Sequence, residues 1–262
     1  MMKTIVLTGA AGNIGKVLRE QWSDGRYQLR LNDIKPLGEI AAHETLHVGD
    51  LRDADFCAEL LKGADAVVHM AGIGTDLELD LLIEHNLKAL LCLYQAARTH
   101  AVRVIYASSN HAIGMYECKT EIDEHAAVRP DSLYGVSKVW GEAIARLYFD
   151  KHGVESICLR IGSFEVEPFE RRHLQTWLSH PDMQHLTERC IEAHNPGFQI
   201  MYGVSANTRN CWRQRDNPIG YHPQSNAEDF ADRIAGIPTR GGPLAELFLG
   251  GGFAASDYSR KT

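Results

Sequence analysis

The chain has 262 residues, enough for one large domain, and its 44% hydrophobic and 23% charged residues are an ordinary globular balance. A formal net charge of -7 lacks the basic excess of a nucleic-acid binder and does not suit an anionic membrane surface. The six cysteines (Cys57, Cys92, Cys118, Cys158, Cys190, Cys211) are scattered without a CxxC pair, as reduced thiols in a cytoplasmic protein are, and no spacing among the 13 histidines points to a metal.

The apolar run behind Met1-Met2-Lys3 is too short for a signal segment and reads as a first strand, over 3–8. No later run reaches the length of a membrane span. Further strands are predicted over 28–33, 45–48, 66–70, 102–108 and 156–161, with helical periodicity over 14–21, 54–61, 79–99 and 132–152. Strands alternating with helices imply right-handed crossovers, hence an α/β chain with a parallel sheet covered on both faces. Beyond Gly162 the rhythm changes: short helices over 171–179 and 183–193, a strand over 199–204 and a helix over 227–234. Residues 207–225 read as an ordered surface loop, and Gly250-Gly251-Gly252-Phe253 as a turn or mobile tail. Neither a repeat nor a linker divides the chain, so 1–262 reads as a single domain with a small cap from about residue 163 onward.

The first strand runs into Thr8-Gly9-Ala10-Ala11-Gly12-Asn13-Ile14-Gly15, and a helix follows at once. Glycines spaced G-x-x-G-x-x-G let backbone turn sharply against a pyrophosphate, which the helix N-terminus then holds with its amides. Gly9, Gly12, Asn13, Ile14 and Gly15 are therefore the candidate phosphate cradle of a Rossmann-type doubly wound sheet. Asp33 ends the second strand, where a carboxylate accepts from ribose hydroxyls and repels a 2′-phosphate, favouring NAD over NADP. By placement at later strand ends, Asp50 and Leu51 would reach the adenine, and Ala71, Gly72 and Ile161 would flank the rest of the cofactor.

Tyr134 and Lys138 stand at i and i+4, on one helix face. A phenol is a poor base at neutral pH, and an adjacent ammonium favours its phenolate. Ser109 ends the fifth strand 25 residues before that tyrosine and is placed to hold the reacting oxygen. Lys138 would also hold the nicotinamide ribose. A serine, a tyrosine base and a lysine beside a dinucleotide cradle make an oxidoreductase.

With these parts in order the chain resembles the extended short-chain dehydrogenase/reductase superfamily, that of the NAD-dependent epimerases and dehydratases, over essentially its whole length. Within it the resemblance is to the uronate dehydrogenase family. It rests on Ser108-Ser109-Asn110-His111, Leu133-Tyr134-Gly135-Val136-Ser137-Lys138, Arg160-Ile161-Gly162-Ser163 with Arg172 and Trp177, and Ile219-Gly220-Tyr221-His222-Pro223. The resemblance implies NAD as cofactor, an anomeric-carbon oxidation of galacturonate or glucuronate to an aldarolactone, and a homo-oligomer. It also implies sugar contacts from Ser109, Asn110 and His111, a place for Ser163 near nicotinamide and sugar, and a carboxylate anchor at Arg172. One departure is Gly74, where the family pattern would put a sugar-contacting serine; it leaves the sugar preference open. The other readings are a nucleotide-sugar epimerase or dehydratase, for which the C-terminal part is short, and a non-catalytic NAD sensor, which would need neither Tyr134 nor Lys138.

Overall fold

In the computed structural model, which describes residues 2–76 and 78–260, seven strands form one parallel sheet. They are β1 (Thr4–Thr8), β2 (Gln28–Asp33), β3 (Glu44–Val48), β4 (Ala66–His69), β5 (Arg103–Ser109), β6 (Ser156–Ile161) and β7 (Phe198–Gly203). Their spatial order is β7-β6-β5-β4-β1-β2-β3. The order reverses between β4 and β2, on either side of β1. That reversal opens a crevice at the carboxyl ends of β1 and β4.

Helices cover both faces, as the alternation requires. One face packs Leu18 of α1 (Asn13–Gln21) and Met183 and Leu186 of α5 (His180–Glu192) onto Leu7, Leu31 and Ile105. The other packs α2 (Ala54–Leu61), α3 (Ala89–His100) and α4 (Leu133–His152) onto Val6, Val67 and Val104. Central strands buried on both faces explain the unbroken apolar runs at Ile5-Val6-Leu7 and Val67-Val68. Ends follow local chemistry: Asp53 caps α2 through the amides of Asp55 and Phe56, and α4 stops at Gly153 in the left-handed region.

The structure departs from the sequence reading in its helices. The predicted helix over 79–99 is broken: Leu79–Leu82 is α-helical, Ile83–Lys88 winds as a π-helix, and the α form resumes in α3. The helix over 171–179 shrinks to His173–Thr176, because Trp177–Leu178 turns extended and pairs in parallel with Ser163–Phe164. Ser179 ends nothing; its hydroxyl caps α5 through the amide of Asp182, with Pro181 in the first turn. Of the two readings of Gly250-Gly251-Gly252-Phe253 the structure shows the turn: Gly250 and Gly251 are buried in it and a helical turn, Gly252–Ala255, follows. The loop over 207–225 is ordered, with Trp212–Arg213 paired to Ile122–Asp123 and with Trp212, Ile219 and Tyr221 buried.

Candidate active site

At the crevice the chain leaves β1 through Gly9, at φ +69. A Cβ there would lie 2.7 Å from the amide nitrogen of Ala71, and one on Gly15 would lie 2.2 Å from the carbonyl of Gly9. Any side chain at either position would part the turn from β4 or from α1. α1 starts on Gly12 with no side chain capping it, so its N-terminal end is open to an anion, with Asn13 and Ile14 as its first residues. Asp33 accepts from the amides of Ala11 at 2.9 Å and Lys35 at 3.1 Å, and its carboxylate keeps acceptor capacity for hydroxyls. Gly9, Gly12, Asp33, Asp50, Ala71 and Gly72 line a cavity of about 340 Å³. Leu51 lines it too, whereas the Asp50 carboxylate is taken by Arg52 at 2.6 Å. An open helix end, a glycine cradle that a Cβ would fill and an acid at the end of β2 fit a dinucleotide.

Asn86, inside the π-helical turn, ties this cradle to α4. Its amide grips both backbone groups of Ile73, at 2.7 and 3.1 Å, and donates to Ser137 Oγ at 3.0 Å. Sequence periodicity carries no sign of it.

The catalytic candidates meet on α4. Ser132 caps the helix through the amide of Gly135, and Asp76 accepts from the amide of Tyr134 at 2.9 Å. Tyr134 and Lys138 are both buried, with the Lys138 ammonium 5.4 Å from the Tyr134 ring centroid. Lys138 Nζ donates to the carbonyl of Ala107 at 2.7 Å. Burial pushes the Tyr134 phenol up to about 12, against the opposing pull of the nearby Ser109 hydroxyl. Lys138 alone therefore does not make this phenol a phenolate at neutral pH. Burial also pulls the Lys138 ammonium down to about 8.

That last shift has a measurable sign. Below about pH 8 the folded protein carries the full cost of burying the charge, and the cost is relieved as pH rises from about 8 to the ordinary 10.5. Over that window the unfolded chain binds the extra proton, so stability relative to Lys138→Met should climb by a few kcal/mol, on the order of the shift itself. Paired urea melts across the window test this; a difference that ignores pH would mean that Lys138 is not desolvated.

The predicted sugar contacts form the adjoining wall. Asn110 is 2% exposed; its amide donates to the carbonyl of Ile161 at 3.1 Å and accepts from Arg172 Nη2 at 2.8 Å. Arg172 is not the exposed helix arginine its position suggests. It is half-buried, donates to the carbonyl of Leu249 from Nε at 3.0 Å and Nη2 at 2.7 Å, and reaches Ser163 Oγ from Nη1 at 3.0 Å. Four of the five N–H groups of a guanidinium are thus engaged by neutral protein oxygens. Among the described residues no carboxylate lies within ion-pair distance of it, and burial lowers its pKa. By contrast Arg171 is exposed and paired with Glu246.

His111 joins this wall to the tyrosine. Its ring meets Tyr134 edge-on at 5.6 Å and lies 4.1 Å from the ring of Phe253, while Nδ1 sits 2.8 Å from Asp131 Oδ2. Phe253, Leu249 and Asp131 were not anticipated from sequence. The glycines before Phe253 hid its place in the site, and Asp131 lies just outside the helix predicted over 132–152. Gly74 has open space where a Cβ would stand.

A parallel sheet with a dinucleotide cradle at its reversal point, and a serine, tyrosine and lysine at the neighbouring strand end, define a class of dinucleotide-dependent enzymes. The chain belongs to the NAD dependent epimerase/dehydratase family, whose profile matches residues 5–180. More narrowly, it is 40% identical over 257 residues to the uronate dehydrogenase of Pseudomonas syringae pv. tomato, covering 96% of this chain and 93% of that protein. The crystal structure of uronate dehydrogenase from Agrobacterium tumefaciens superposes with a TM-score of 0.90 at 38% identity over 97% of each chain. A tyrosine-to-alanine mutant of that enzyme, complexed with NAD, gives a TM-score of 0.91 at 37% identity over 100% of each chain.

Proposed function

We propose that this protein oxidises the anomeric carbon of a hexuronic acid, galacturonate or glucuronate, to an aldarolactone with NAD. The observation that carries the reading is Arg172, a desolvated guanidinium with no carboxylate partner among the described residues, joined through Asn110 and His111 to Tyr134. A half-buried cation held only by neutral oxygens lowers its free energy by taking an anion, and a uronate supplies one. The N–H left on Nη1, beside Ser163, is the free donor. The carboxylate then binds end-on while Leu249 holds the side edge, instead of meeting an open fork.

Gly9, Gly12, Asn13, Ile14, Gly15 and Asp33 would hold the adenosine and pyrophosphate, with Asp50, Leu51, Ala71, Gly72 and Ile161 flanking them and Lys138 at the nicotinamide ribose. Bound NAD supplies the hydride acceptor and a positive ring beside the phenol. Tyr134 takes the proton of the C1 hydroxyl as the C1 hydride departs, Ser109 steadies the oxygen, and the C1–O bond becomes the lactone carbonyl. Asn110, His111 and Ser163 would orient the sugar. Residues from about 163 onward would form the substrate cap, since Ser163, Arg172, Leu249 and Phe253 all come from them. Scattered reduced thiols support a cytoplasmic setting, and the family resemblance supports a homo-oligomer; no described helix is long and apolar enough to cross a membrane.

The test is NADH formation with uronic acids, neutral aldoses and nucleotide sugars. Uronic acids should give the signal; a signal from nucleotide sugars alone would assign the chain to another branch of the family. For the cofactor, Asp33→Ala should narrow the preference for NAD over NADP by about tenfold, equivalent to ~1.4 kcal/mol of lost repulsion. Equal use of the two cofactors by the parent protein would refute that role of Asp33.

A further inference from the structure

We propose that Asp131 is a positioning residue that holds the His111 imidazole as its Nδ1–H tautomer, making Nε2 an acceptor for a sugar hydroxyl beside Tyr134. This rests on the uronate reading for what the acceptor meets, though not for the tautomer itself.

The Asp131 side chain has no solvent exposure, and its two oxygens have separate tasks. Oδ2 lies 2.8 Å from His111 Nδ1, and Oδ1 accepts from Ser132 Oγ at 2.8 Å. An ionised carboxylate only accepts, so the imidazole nitrogen facing it carries the hydrogen and the lone pair falls to Nε2. The protein is shaped around this carboxylate. A Cβ on Gly114 would lie 1.8 Å from Asp131 Oδ2, and one on Gly250 would lie 1.7 Å from it. Gly114 has φ -63, and Gly250 is not among the positive-φ glycines, so backbone conformation does not call for glycine at either place. Space for the carboxylate does. The ring it steers is held between Tyr134 and Phe253, and the backbone of Asp131 bonds back to the carbonyl of His111 at 3.4 Å. Arg172 offers only N–H donors to a substrate, so a fixed Nε2 acceptor gives the sugar's own hydroxyls a partner.

Nitrogen-15 spectra of the unmodified protein at neutral pH, assigned with His111→Asn, should show His111 as the Nδ1–H tautomer. Asn at 111 keeps an N–H donor for Asp131 and has no atom at the place of Nε2. Asp131→Asn should mix the tautomers and raise the KM for uronate about tenfold, the scale of one hydrogen bond, with a smaller change in kcat and none in the KM for NAD. Added to His111→Asn, it should cost less than about a further twofold, because the group it steers is gone. An Nε2–H tautomer in the parent protein would overturn the proposal, and so would an equal cost of Asp131→Asn in both backgrounds. If Asp131→Asn does not fold, the parent spectrum decides. If the parent oxidises no uronic acid, the uronate reading fails while the spectrum still settles Asp131.

Discussion

Tyr134→Phe should bind NAD as the parent protein does and lose uronate turnover by about two to four orders of magnitude, the usual worth of a positioned acid–base group. The ring's contacts with His111 and Phe253 survive the change, and so does the amide bond to Asp76, because none of them uses the phenol oxygen. What disappears is the proton acceptor. The phenol is held up to about 12 by burial, so in the parent kcat/KM should rise with pH through neutrality as the ionised fraction grows. In the variant that rise should flatten. Steady-state rates from pH 6 to 9 with fluorescence titration of NADH check both points. Turnover within threefold of the parent would remove Tyr134 from the chemistry.

The second large effect concerns Arg172. Arg172→Ala should raise the KM for galacturonate or glucuronate by about ten- to a hundredfold, the equivalent of the ~1.5–3 kcal/mol of a hydrogen bond to a charged group. It should also shrink the ratio of uronate to neutral hexose oxidation, while NAD binding stays close to normal. The structure adds a stability cost that a surface arginine would not have. Removing the guanidinium leaves the carbonyl of Leu249, Asn110 Oδ1 and Ser163 Oγ short of donors and unfastens the segment carrying Phe253. Melting should therefore come earlier, by an amount on the order of 1–3 kcal/mol. Arg172→Lys restores a charge and three donors, but one ammonium nitrogen cannot reproduce the planar fork that spans Leu249, Asn110 and Ser163, so it should recover affinity only in part. An unchanged uronate-to-hexose ratio in the alanine variant would place the carboxylate elsewhere; Arg171, tied up with Glu246, is then a poor second choice.

Much of this protein was legible because its signals are local. Continuous apolar runs gave the strands of a sheet buried on both faces, and the glycine turn with Asp33 at the end of the next strand marked the cofactor crevice. The i, i+4 spacing of Tyr134 and Lys138 needs only one helix to become a shared face, and Ser109 needs only a strand end. Asn110, His111, Ser163 and Arg172 entered through the family pattern, and the fold brings them to one wall. What the chain could not reveal was anything fixed by close approach between distant segments. The π-helical turn over Ile83–Lys88 depends on Asn86 reaching Ile73 and Ser137, which periodicity does not encode. Gly250 and Gly251 read as a turn or a mobile tail, and what neither reading contains is that Gly250 lacks a side chain because Asp131, far away in sequence, fills that space. Arg172 entered as a carboxylate anchor, but only tertiary packing brings Leu249, Asn110 and Ser163 around it and leaves one N–H free. The phenol follows the same rule: sequence puts a lysine beside it, but the desolvation that raises its pKa depends on how much protein closes over both.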